Sequence, residues 1–133
     1  MKKDIQIPEV SDVFMAVVKE YNPEFQCNDW NVYIINNKLV DLEMIMIISK
    51  GYDDENGLET STMRHKVEKL QAKSFAKVEL LMGDVLKISN SFNVSFFEGS
   101  QLYDKKYVFD KGALKESSLR TIPLLKKRGI LVK

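Results

Sequence analysis

Residues 51–82 read GYDDENGLETSTMRHKVEKLQAKSFAKVELLM, and the period of this stretch decides the fold class. Asn56-Gly57 is the dipeptide preferred in type I′ hairpins, so a returning strand is expected directly after it. The residues that follow carry two periods at once. Val67, Leu70, Val78 and Leu81, with Phe75 close by, fall near helical spacing. Ala76, Val78 and Leu80 alternate with Lys77 and Glu79, which is strand spacing. Thr60, Ser61 and Thr62 suit either a helix cap or an extended hairpin. The turn tips the balance toward two strands; the alternative is an α+β fold with a helix over 63–82.

Outward from this stretch the pattern is that of strands. Val13 to Tyr21 (VFMAVVKEY) is β-branched and aromatic, and its first part is apolar on both faces, as in a covered central strand. Trp30 to Asn36 follows, with Trp30 read as core. Asn36-Asn37-Lys38 is a suitable tight connection, with Leu39 to Lys50 as the second half of a hairpin. Phe92, Val94 and Phe96 alternate with Asn93 and Ser95, Glu98-Gly99-Ser100 turns the chain, and Gln101 to Phe109 pairs back. A short helix over Ala113 to Leu119 and a last edge strand at Ile130-Leu131-Val132 complete the expectation. The fold class is therefore all-β: an antiparallel β-sandwich of about seven strands with one short C-terminal helix.

With 133 residues and 44% hydrophobic content the chain fits a single domain over 1–133. Asp4, Gln6, Pro8 and Glu9 interrupt any secretion signal at the N-terminus. The longest apolar runs, Val13 to Val18 and Met44 to Ile48, fall far short of the ~18 residues of a membrane span. Cys27 is the only cysteine, so no internal disulfide forms and a cytoplasmic location is expected.

Chemical motifs are scarce. One histidine, His65, and one cysteine exclude zinc sites built from four cysteines, two cysteines with two histidines, or HExxH. Cys27 sits in the polar stretch Phe25-Gln26-Cys27-Asn28-Asp29, with nothing local to pair it with His65. Aligning Gly57 with the glycine of an EF-hand loop puts Tyr52 and Met63 where carboxylates are needed. Phosphate-binding glycine patterns and the GxSxG elbow are absent. No catalytic, metal or cofactor residue is expected, and the chain reads as a non-enzyme.

Charge is balanced in total, 20 basic against 19 acidic residues, but not along the chain. Residues 41–60 set Asp41, Glu43, Asp53, Asp54, Glu55 and Glu59 against Lys50 alone. Residues 105–133 set nine bases against Asp110 and Glu116. Lys105, Lys111, Lys115, Arg120, Lys126, Lys127 and Arg128 are thus the candidate contacts to nucleic acid or to a protein partner. Tyr103 and Tyr107 share a strand face with Lys105, where they are placed to stack bases.

Thr60-Ser61-Thr62-Met63-Arg64-His65, Ala72-Lys73-Ser74-Phe75-Ala76-Lys77-Val78-Glu79-Leu80-Leu81 and Leu102-Tyr103-Asp104-Lys105-Lys106-Tyr107-Val108-Phe109 resemble blocks of a family of short, uncharacterised bacterial proteins. Some members go under the label of phenylalanyl-tRNA synthetase alpha subunit. The resemblance implies no activity and carries no functional residue over. A class II synthetase core is much larger than this chain, and its ATP-binding arginine motifs have no counterpart here. The expected function is a non-catalytic interaction module of the bacterial cytosol, binding a protein partner or its own copy without contact to a membrane. A nucleic-acid-binding module using the basic C-terminal surface is one alternative. A small-molecule binder or undetected enzyme is the other.

Overall fold

Phe14, Ala16 and Val18 alternate with Val13, Met15 and Val17 along a strand buried on both sides, which is why the sequence here shows no polar period. The computed structural model of the protein describes residues 8–133. The reading of residues 1–7 as free of a secretion signal lies outside the described residues. Strand β1 (Val13–Asn22) pairs along its whole length with β2 (Cys27–Asn36). Asn22 builds their connection: its Oδ1 accepts from the backbone N–H groups of Glu24 (3.0 Å) and Phe25 (3.4 Å).

Strand β3 (Leu42–Asp53) does not return beside β2, which corrects the hairpin expected at Asn36-Asn37-Lys38. It crosses to a second sheet, where β4 (Leu58–Glu59) and β5 (Met63–Leu70) line one of its sides. Strand β6 (Ser74–Leu81) crosses back and takes the open side of β2, with Ile34 opposite Ala76. Asn36, 0% exposed, supplies the physical reason. Its Nδ2 donates toward the carbonyls of Val40 (2.9 Å), Leu70 (3.1 Å) and Gln71 (3.0 Å), and its Oδ1 accepts from the Lys38 N–H (3.1 Å). One side chain thus ties together the first two of the four crossovers between the sheets.

Residues 63–82 therefore form two strands and no helix, but the strands lie in different sheets. The turn that argued for them differs in detail. Tyr52 stands opposite Glu59 and Asp53 opposite Leu58, so the loop comprises residues 54–57. Only Gly57 in it has a positive φ, 62°, whereas a type I′ turn needs two such residues.

Strands β7 (Ser89–Glu98) and β8 (Gln101–Phe109) form the expected hairpin, and β7 closes the other side of β3. The short helix expected over Ala113–Leu119 is not present; a single 3-10 turn, Glu116–Ser118, takes its place. So short a stretch, with two serines and no side-chain cap, does not offset the cost of helix nucleation. The segment instead lays Ile122 and Leu125 against Phe14, Ala16, Val18, Tyr33 and Ile35. Strands β9 (Arg120–Thr121) and β10 (Arg128–Val132) follow. β10 is not a simple edge: it lies between β1 and β9, although β9 reaches only its first two residues.

The result is an all-β fold of two antiparallel five-stranded sheets, with ten strands where about seven were expected. Sheet 1 runs β6-β2-β1-β10-β9; sheet 2 runs β4-β3-β7-β8 with β5 also on β3. Val13, Met15, Val17, Val32 and Ile34 from sheet 1 meet Ile45, Ile47, Phe92, Val94, Phe96, Tyr107 and Phe109 from sheet 2 in the main core. Trp30 packs against this core as a partly buried neighbour. No helix among the described residues is long and apolar enough to cross a membrane.

Candidate interaction surface

The seven C-terminal cations do not form one surface. Lys111 is drawn to the acidic loop, with Nζ 2.9 Å from Asp53 Oδ2 and 3.7 Å from Glu55 Oε2. The two oppositely charged stretches of the sequence therefore meet within the molecule. Lys105 points along the inner side of β8 and lies 5.0 Å from the Tyr107 ring centroid. Arg120 and Arg128 come together, both donating to the Leu119 carbonyl at 3.0 and 3.1 Å. Lys115 and Lys126 are exposed.

Lys127 reaches Glu20 across the outer face of sheet 1. Glu20 Oε1 also accepts from Asn31 Nδ2 (2.9 Å) and the Tyr33 hydroxyl (2.6 Å). Burial pushes the Glu20 carboxyl up, yet the donors Lys127, Tyr33 and Asn31 together hold it below its ordinary value. Burial and the bond to Glu20 push the Tyr33 hydroxyl the other way, so it stays a donor. A depressed carboxylate stabilises the fold above its unfolded pKa of about 4.3, and that contribution fades as pH falls through the folded value. Glu20→Gln is thus expected to cost about 1–2 kcal/mol at pH 7 through the weakened charged hydrogen bonds. It is also expected to lose less stability than the parent between pH 7 and pH 3. Urea midpoints at the two pH values check this, and equal losses would refute the role of Glu20.

The stacking reading of Tyr103 and Tyr107 is corrected. Tyr107 is 1% exposed and its hydroxyl donates to the Val13 carbonyl at 2.5 Å. Tyr103 stacks on Phe96 at 5.2 Å between centroids and takes the Lys38 ammonium at 5.1 Å. Both rings are spent inside the fold.

The sheet faces themselves differ. Sheet 1 has its inner face in the core, and the segment carrying Ile122 and Leu125 covers its outer face over β1 and β2, while Phe75 on β6 stays 44% exposed. Sheet 2 has its inner face in the core, and no described residue set packs as a layer on its outer face. Register builds this outer face in rows. Arg64, Ile48, Asn93 and Lys106 stand side by side across β5, β3, β7 and β8. Lys66, Met46, Ser95 and Asp104 form the next row. Beyond them a shallow polar depression of about 450 Å³ is lined by Tyr52, Asp54, Glu59, Ser91 and Asn93 among others. Small side chains on β7 leave the centre open, and Arg64, Lys66 and Lys106 make no ion pair with a described residue. The alternation of Asn93 and Ser95 marked this face in the sequence; its partners on β3, β5 and β8 had no such signal.

Chemistry is sparse here as well. His65 Nε2 lies 2.9 Å from Glu79 Oε1, bridging β5 to β6, while Cys27 Sγ lies 3.8 Å from Asp29 Oδ1 at the exposed start of β2. Each of the two reactive side chains thus has a carboxylate neighbour. Among the described residues no three His, Cys, Asp or Glu side chains group to hold a metal ion. No family model, no curated protein and no solved structure matches this chain.

Proposed function

We propose that the protein is a cytosolic, non-catalytic interaction module that holds a protein partner on the outer face of sheet 2. The observation that carries this reading is the unequal covering of the sheets: a segment of the chain layers the outer face of sheet 1 over its central strands β1 and β2, and none layers the outer face of sheet 2. Met46, 38% exposed, and Ile48 supply an apolar centre, with Arg64, Lys66, Lys106 and Asp104 at the ends of their rows. Arg64, Lys66 and Lys106 share this face with Asp54, Asp104 and Glu59, the last paired with Lys50, a mixture that suits a protein surface better than a run of phosphates. The nucleic-acid reading loses support from the engagement of Lys111 and Lys127 in ion pairs and of Tyr107 in the core.

A photo-crosslinking residue at Asn93 tests the proposal against the same residue at Pro123, which lies on the covering segment of sheet 1. In native lysate the probe at 93 is expected to give a discrete protein adduct, and Met46→Asp is expected to cut its yield at least tenfold. An adduct with a second copy would identify that copy as the partner. Absence of an adduct at 93, or equal adducts from both positions, would overturn the reading.

A further inference from the structure

At the end of the sandwich where β5 and β6 approach, the sheets part over a cavity of about 250 Å³. Its walls are Leu81, Phe92 and Val85, the last carried by a 3-10 turn, Gly83–Lys87. Met63, Leu80 and Met82 form the rim and are 49%, 41% and 66% exposed. Methionine at such a rim is unbranched and adapts to what passes it.

Lys50, Thr60, Ser61 and Glu79 also line this space, and two further polar residues of the lining are more than nine-tenths buried: Ser49 is 4% exposed and Asn90 3%. Asn90 Nδ2 donates to the carbonyls of Val85 (2.9 Å) and Ile88 (3.1 Å), which fixes the amide and turns Oδ1 away from them. Among the described residues, neither Asn90 Oδ1 nor the Ser49 hydroxyl has a hydrogen-bond partner. Neither is sealed in, since the one sealed side-chain oxygen without a partner among those residues is Asp53 Oδ1. Both residues line the cavity, which is where a partner for these oxygens can come from. Thr60, by contrast, is satisfied: its hydroxyl accepts from Gly51 N–H at 2.8 Å and donates to the Ser61 carbonyl at 3.0 Å. Gly51 keeps the acceptor reachable, because a Cβ there would stand 3.4 Å from Asn90 Oδ1 and 3.0 Å from both Ile88 Cδ1 and Thr60 Cγ2.

We propose that this cavity binds a small apolar molecule bearing one hydroxyl group, which donates to Asn90 Oδ1 and accepts from Ser49. An apolar cavity of about 150 Å³ holds a benzene ring, so this volume takes a ring with one or two short substituents. A buried acceptor left without a donor disfavours an all-hydrocarbon ligand, because entry would strip the acceptor of water and return nothing. The site is separate from the outer face of sheet 2, and either can fail alone.

The probes are p-cresol and p-xylene, which differ only in a hydroxyl against a methyl. Titration of the isotope-labelled protein by NMR is expected to show saturable p-cresol shifts at the amides of Ser49, Gly51, Asn90 and Leu81. The affinity for p-xylene is expected to be about three- to tenfold lower. Ser49→Ala is expected to narrow that ratio. Should the variant not fold, the comparison of the two probes on the unmodified protein still decides. No saturable shift with p-cresol, equal affinity for both probes, or shifts confined to other residues would overturn the proposal.

Discussion

Gly129→Ala is expected to lower the melting temperature by roughly 10 °C, as a loss of about 3 kcal/mol would in a domain of this size. An ideal Cβ at this position would stand 2.5 Å from the Val17 carbonyl oxygen and 3.1 Å from Val18 Cα. Both obstacles are backbone, and β1 has no room to yield. It pairs with β2 along its full length, and Val13 to Val18 are buried on both faces. The strain therefore falls on β10, which pairs with β1 from Gly129 to Val132. Gly129 does not have the positive φ that calls for glycine in a turn; it is needed for a close approach of two strands. The damage is expected to spread to the segment that covers the outer face of sheet 1, because Ile122 Cγ1 also lies 3.1 Å from the new methyl. Hydrogen exchange should quicken over residues 119–132 before the rest of the fold is affected. A melting temperature within about 2 °C of the parent would show that the strands can separate freely, contrary to this packing.

The same region shows what the sequence could and could not convey. Val13 to Val18 was legible as a covered strand because burial on both faces removes the polar period, and Phe92 to Phe96 was legible as half-solvated because burial on one face keeps it. The grouping of the C-terminal cations was not legible as it stands in the fold. Lys127 is 107 residues from Glu20, and Lys111 is 58 from Asp53. Charge counted along a segment is blind to partners brought by strands so far away in the chain. The path from β2 to β3 was misread for a related reason. The Asn36 bonds that accompany the departure of β3 to the other sheet reach Leu70 and Gln71, 34 and 35 residues further along, so nothing beside Asn36-Asn37-Lys38 announced them. The outer face of sheet 2 was half visible: Asn93 and Ser95 declared which way β7 faces, but the rows joining them to Ile48, Arg64 and Lys106 depend on register.

Asn36→Asp is expected to be more damaging still, with a cost of about 4–5 kcal/mol at pH 7, enough to unfold a marginal domain. The change is nearly isosteric, so packing does not explain it. Asn36 is 0% exposed, and its Nδ2 faces three carbonyl oxygens at 2.9–3.1 Å. A carboxylate in its place turns three attractive contacts into repulsive ones and leaves the carbonyls of Val40, Leu70 and Gln71 without that donor. Asn36→Ala loses the same bonds without adding a charge, and about 2–3 kcal/mol is expected for it. The order of the two variants is the informative quantity. Burial among carbonyls raises the folded pKa of the introduced aspartate above its unfolded value of about 3.9. A raised folded pKa means that the fold is favoured by protonation, so the deficit of Asn36→Asp is largest at pH 7 and narrows as pH falls toward 4. The deficit of Asn36→Ala has no such dependence. Urea unfolding of both variants and the parent at pH 7 and pH 4.5 measures this. If the two variants lose equally at both pH values, the convergence of carbonyls on Asn36 does not hold the crossovers. If the aspartate variant alone recovers in acid, one side chain is what ties the path out of sheet 1 to the path back into it.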